Sequence, residues 1–180
     1  MTITTSDAIP TSKVTLLATL RALAAEPPNS LTAMYHAADR QARLVGSLLS
    51  TPVTGIPASL PTLISGTRVD YLDIPVPGVA FWGNGHWHIH IRASDPIAAQ
   101  AFTVLHELKH IIDHPLRRQP NVLSNADWEA IADHFANQLL AQDARNNHDG
   151  MAKKDGMDSN ALTDTRQASP QPSTPTGFTR

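Results

Sequence analysis

His106-Glu107-Leu108-Lys109-His110 sets two imidazoles one helical turn apart, with a carboxylate directly after the first. On a helix, side chains at i and i+4 have Cβ atoms about 5–6 Å apart, so both rings can converge on one metal ion at roughly 2.0–2.1 Å from each nitrogen. Glu107 stands about 100° around the helix from His106, which suits it to a water on the metal rather than to the metal itself. That is the place of a general base. A catalytic zinc site takes three protein ligands and keeps one position open. Glu129 is the candidate third ligand. Asp133, one turn beyond it, is placed to accept a hydrogen bond from the outer nitrogen of a ligand histidine and so fix its tautomer.

Composition narrows the chemistry further. The 180 residues contain no Cys, which removes disulfides, thiolate zinc ribbons and cysteine nucleophiles, and leaves His and carboxylates as the metal ligands. Of 16 acidic residues only Glu26, Glu107 and Glu129 are Glu, so two of the three stand where metal chemistry wants them; His, usually scarce, occurs nine times. A net charge of −2 supplies no basic field for non-specific nucleic-acid binding and no attraction to anionic lipid. No signal peptide or membrane span is visible, and the expectation is a cytoplasmic protein.

Several elements must position these residues. Ser12 is a candidate cap for a short helix carrying Val14, Leu17, Leu20 and Leu23, ended by Pro27 and Pro28. From Ser30 to Ser50 a second helix stripes Leu31, Met34, Tyr35, Ala38, Ala42, Val45 and Leu49 along one face. Pro52, Gly55, Pro57 and Pro61 make 51–66 read as a loop with one short turn near Leu60. Strands are expected over 67–74, 76–82 and 86–93, with Asn84-Gly85 a strong hairpin signal between the last two. Asp95-Pro96 opens the motif helix, expected to reach about Asp113. Ser124 with Asp127 opens the last helix, expected to reach about Gln142. Beyond it, large apolar side chains are too few to offset ordering entropy.

The run Phe102–Ile112 followed by Glu129-Ala130-Ile131-Ala132-Asp133-His134-Phe135-Ala136 resembles the ImmA/IrrE-type metallopeptidases. The strand ending Ile89-His90-Ile91 is similar too, and the resemblance covers about 30–142. It implies that His106, His110 and Glu129 hold zinc and that Glu107 activates water. It also implies an intracellular enzyme whose substrate is a helix-turn-helix repressor of a mobile element, phage or stress operon. Two departures stand out. Lys109 occupies the family's usual Gly position, where its ammonium is expected to snorkel to solvent, and Ala141-Gln142 replaces the common Met-Pro.

Other residues carry weaker signals. His86, His88 and His90 project to one face of their strand, and Trp87, Ile89 and Ile91 to the other. Three readings are open for the triplet: a second metal site, the rim of a substrate cleft, or the polar face of a half-exposed strand. No neighbouring carboxylate in the sequence favours the metal. His114, His134 and Tyr71 are candidates for stabilising an oxyanion, with surface roles the plainer alternative. Arg117 and Arg118 read as a solvated loop.

The fold expected is α+β: N-terminal helices, a small, mostly antiparallel sheet, then two helices carrying the motif and Glu129. The domain plan is an N-terminal segment (1–29), a metallopeptidase-like domain (30–142) and a disordered tail (143–180). The functional expectation is an endopeptidase with one Zn2+ ion acting on a protein partner, without direct nucleic-acid or membrane binding. A zinc-holding protein that inactivates its partner by contact is the alternative, and a structural or DNA-contacting protein without metal is a third.

Overall fold

The structure, a computed structural model, describes residues 15–24, 29–49, 52–120 and 122–158, with side chains as far as 145. The chain divides into two units, 1–144 and 145–180. The first unit is α+β: N-terminal helices, a small three-stranded sheet and two long helices. The helices of the chain are α1 (Leu16–Ala22), α2 (Leu31–Leu48), α3 (Ile56–Leu63), α4 (Ile97–Arg117) and α5 (Asn125–Asp158), the last beginning in the first unit, and the strands are β1 (Thr67–Leu72), β2 (Gly78–Gly83) and β3 (His86–Arg92).

Local chemistry explains most boundaries. Thr15 Oγ1 accepts from the Ala18 N–H at the start of α1, and Ser30 Oγ does the same for Ala33 at the start of α2. Ser12 and Val14 lie outside the described residues, as do Pro27 and Pro28 and everything from 159 onward. Ser124 and Asp127 form a reciprocal box: the Asp127 N–H donates to Ser124 Oγ at 3.2 Å, and the Ser124 N–H to Asp127 Oδ2 at 2.8 Å. These bonds from Ser124 hold the Asp127 carboxyl below its usual range. Asn84 and Gly85 both take positive φ, 51° and 77°, as a two-residue hairpin between β2 and β3 requires.

β3 is the middle strand, in the order β1-β3-β2. It pairs antiparallel with β2, and β1 lies parallel to it on the other side, with Thr67 opposite Trp87 and Asp70 opposite His90. The sheet is therefore mixed. Ile89 and Ile91 of β3 are fully buried and join the core with Val104, Leu105, Leu108 and Ile111 of α4, Ile131 and Phe135 of α5, and Met34 and Val45 of α2.

Three elements differ from the sequence expectation. The segment read as a loop holds a 3-10 turn (Val53–Gly55) and then α3, because Pro57 sits in a first turn that needs no N–H and Val53, Ile56, Leu60 and Ile64 bury one apolar face. α4 continues past Asp113 to Arg117, carrying Pro115 in its last turn. The missing Pro115 N–H leaves the Ile111 carbonyl without its helical donor, and the Arg21 guanidinium of α1 supplies one at 3.0 Å. α5 runs beyond Gln142 to Asp158, through a stretch free of Pro.

Lys109 does not reach solvent. It is fully buried, and its ammonium donates to Asp113 Oδ1 at 2.7 Å and to Gln41 Oε1 at 2.8 Å. Gln41 in turn donates to the Leu20 carbonyl at 2.9 Å, so one polar chain ties α4 to α2 and α1. Burial drives the Lys109 pKa down and the Asp113 pKa up, while each charge pulls the other back toward ionisation. Removing one member strands the other charge. Lys109→Ala is expected to cost about 3–5 kcal/mol in denaturant unfolding, whereas replacing both charges, as Lys109→Met with Asp113→Leu, should cost only about 1–3 kcal/mol, from the Gln41 oxygen left without its donor.

Candidate metal centre and cavity

α4 and α5 meet where His106 faces Glu129 and Asp133. The i, i+4 spacing brings His106 Nε2 and His110 Nε2 to 3.0 Å of each other. Glu129 Oε2 closes the triangle at 3.1 Å from His106 and 3.3 Å from His110. For ligands about 2.0–2.1 Å from a tetrahedral ion, the ligand–ligand edge is about 3.3–3.4 Å, so the three atoms, 3.0–3.3 Å apart, are close to one face of such a tetrahedron. The donor set, two imidazoles and one carboxylate, suits a divalent transition-metal ion. The residues fit a metal ion.

The outer nitrogens settle the ring tautomers. His106 Nδ1–H donates to Asp133 Oδ1 at 2.9 Å, leaving Nε2 with its lone pair toward the triangle. His110 differs. Arg117, expected in a solvated loop, lies in the last turn of α4, and its guanidinium donates to His110 Nδ1 at 3.0 Å. An arginine can only donate, so neutral His110 carries its hydrogen on Nε2, directed at His106 Nε2 and Glu129. To hold a cation, His110 would have to give up that hydrogen at Nε2 and carry one on Nδ1, with Arg117 withdrawn. Burial, opposed in part by the Glu129 charge, lowers the His110 pKa to about 4, so the ring is neutral at physiological pH.

Glu107 lies behind the triangle, only 8% exposed. Its carboxylate accepts from the Ala80 N–H of β2. Burial raises its pKa first of all; the Glu129 charge adds to this, and His106 opposes it. The close approach of β2 to α4 depends on Gly78, where a Cβ would overlap the Thr103 methyl and crowd Glu107 Cγ. Between them opens a cavity of about 290 Å³ walled by Pro77, Gly78, Phe102 and Thr103, with His106, Glu107, Glu129 and Asp133 at its polar end. Glu129 and Asp133 are more than half exposed, so the cavity opens to solvent.

All five residues singled out by the sequence, His106, Glu107, His110, Glu129 and Asp133, thus gather at one place. The three oxyanion candidates do not. The His134 ring hydrogen-bonds Asp39 at 2.7 Å and packs on Tyr35, His114 packs edge-on against Trp87, and Tyr71 is half exposed on β1. Gly78, Ala80 and Arg117 were not legible as site residues; the Arg-Arg pair after the motif helix was the only signal for the last.

Fold and site define an α+β protein with a His–His–Glu group able to hold a metal ion beside a buried glutamate. No family model, characterised protein or solved structure matches the chain. Among the described residues no helix is long and apolar enough to cross a membrane.

The two outer partners act in opposite directions. Asp133→Ala should weaken Zn2+ binding about 10–100-fold. Arg117→Met, by freeing His110 Nδ1 to carry the hydrogen, should tighten it. Competition against a chromophoric chelator measures both.

Proposed function

We propose that this protein is a zinc-dependent endopeptidase that hydrolyses a peptide bond in a protein partner. One observation carries the reading: a three-ligand triangle of tetrahedral size opens onto a cavity in which a separate, buried glutamate stands ready as base. Purely structural zinc sites close their fourth position and need no base. The residues quoted for the resemblance to ImmA/IrrE-type metallopeptidases are the ones gathered here, and on that resemblance the partner is a helix-turn-helix repressor of a mobile element, phage or stress operon.

Zinc in the triangle would supply Lewis-acid activation of a water and of the scissile carbonyl. Glu107 takes the proton of the attacking water and delivers it to the leaving amine. Its buried position strengthens it as a base, and the Ala80 N–H holds it in place. Asp133 holds His106 in the tautomer that presents Nε2. β2, the sheet edge beside the cavity, gives an extended substrate segment a strand to lie along.

The test compares wild type with Glu107→Gln, using a purified helix-turn-helix repressor as substrate. Zinc content should stay at the wild-type value while cleavage falls by at least about 10²–10⁴-fold, the range of a lost general base. Undiminished cleavage would overturn the mechanism. Repressor inactivated equally by wild type and Glu107→Gln, without fragments, would replace it with inhibition by contact.

A further inference from the structure

The sheet face opposite Ile89 and Ile91 carries a second set of ligand-type side chains. His88 and His90 lie there by strand alternation, and the parallel register of β1 sets Asp70 opposite His90. The carboxylate that the His triplet lacked in the sequence is thus delivered by a strand that precedes it by some twenty positions. Asp70 Oδ2 stands 3.9 Å from His88 Nδ1 and 3.7 Å from His90 Nε2, and the three atoms lie within 4.8 Å of one another.

Those distances are too long for hydrogen bonds, so the three groups converge without satisfying each other. The two carboxylate–imidazole distances exceed the tetrahedral edge of about 3.3–3.4 Å by about 0.3–0.6 Å, and the imidazole pair lies within 4.8 Å. A turn of the Asp70 side chain, which is half exposed, shortens the first two, and a ring rotation of His90 the third. The rings are oriented for the purpose. His88 Nε2–H donates to the Gly83 carbonyl at 3.1 Å, which leaves its Nδ1 lone pair facing Asp70, the outer-bond arrangement typical of metal-ligating histidines. Phe81, opposite His88 on β2, stacks on that ring at 5.1 Å and meets the His90 ring edge-on at 4.9 Å, so both imidazoles are packed in place.

We propose that Asp70, His88 and His90 form a second metal site, for a divalent transition-metal ion of the zinc class, separate from the cavity between α4 and α5. Two imidazoles with one carboxylate select against Mg2+ and Ca2+, which take oxygen ligands. The ion bridges β1 to β3 and leaves a coordination position open to solvent. It therefore staples the parallel strand pair, whose two members are joined in sequence only through β2.

The experiment is equilibrium dialysis of the full chain against excess Zn2+, followed by metal analysis. Wild type should hold two ions, His88→Ala/His90→Ala one, and His110→Ala one, with thermal melting in Zn2+ raised less for the sheet variant than for wild type. Asp70→Asn, nearly isosteric, should also lose one ion and guards against misfolding of the double variant. Two ions retained by both Asp70→Asn and His88→Ala/His90→Ala overturn the second site. One ion in wild type, removed by His110→Ala, overturns it too and leaves the cavity reading standing. One ion in wild type, removed instead by the sheet variants, supports the second site and overturns the cavity reading.

Discussion

The buried Lys109 ammonium is the contact on which the arrangement of helices turns. A charge with no access to water must be matched by fixed partners, and here the partners come from its own helix, Asp113, and from α2, Gln41. Because Gln41 also holds the Leu20 carbonyl, the rotation of α4 about its axis is set against two neighbours at once. Lys109 precedes His110 in the chain, so the face turned inward to satisfy the ammonium determines which way the two motif imidazoles point. Arg21 adds a second anchor at the Ile111 carbonyl, where Pro115 has removed the internal donor. The helix that bears the chemistry is thus held by polar bonds made at positions a hydrophobic pattern would not select.

His106 performs the matching task on the α5 side. Its Nδ1–H donates to Asp133, and its Nε2 faces the triangle that Glu129, one turn earlier on the facing helix, completes. That engagement sets the axial offset between α4 and α5 as well as the tautomer. The Ser124–Asp127 box starts α5 at a defined residue, and the first core side chain, Trp128, lies directly beside Glu129. Start and burial together bring Glu129 to the triangle.

How much of this was legible in the sequence follows from the range of each interaction. The motif, the capping box and the Asn84-Gly85 turn are decided within five residues, and the structure places them as the spacing implies. The stripe of α2 was equally readable, since Met34, Ala38, Ala42 and Val45 repeat at helical spacing. Lys109 was misread because a lone lysine on an amphipathic helix ordinarily snorkels, and its acceptor Gln41 lies 68 positions away. α3 was missed because four turn-type residues outweighed the apolar period of Val53, Ile56, Leu60 and Ile64. Arg117 was hidden by Pro115, which signals a helix end unless another side chain feeds the orphaned carbonyl.

The two ligand groups make the same point from opposite sides of the fold. A helix repeats a face every turn, and a strand repeats one every second residue at about 6.6 Å, so either can present two imidazoles to one ion from sequence spacing alone. Neither can supply the third ligand. At the cavity it comes from helix packing, which draws the three atoms to 3.0–3.3 Å; on the sheet it comes from the register of a parallel pair, which leaves Asp70 at 3.7–3.9 Å. The tighter group is held by interlocking side chains, whereas the wider one relies on a backbone ladder and one carboxylate free to turn. Pairs of ligands are therefore written in local sequence, but which pairs become sites is decided by the tertiary contacts that bring a carboxylate to them.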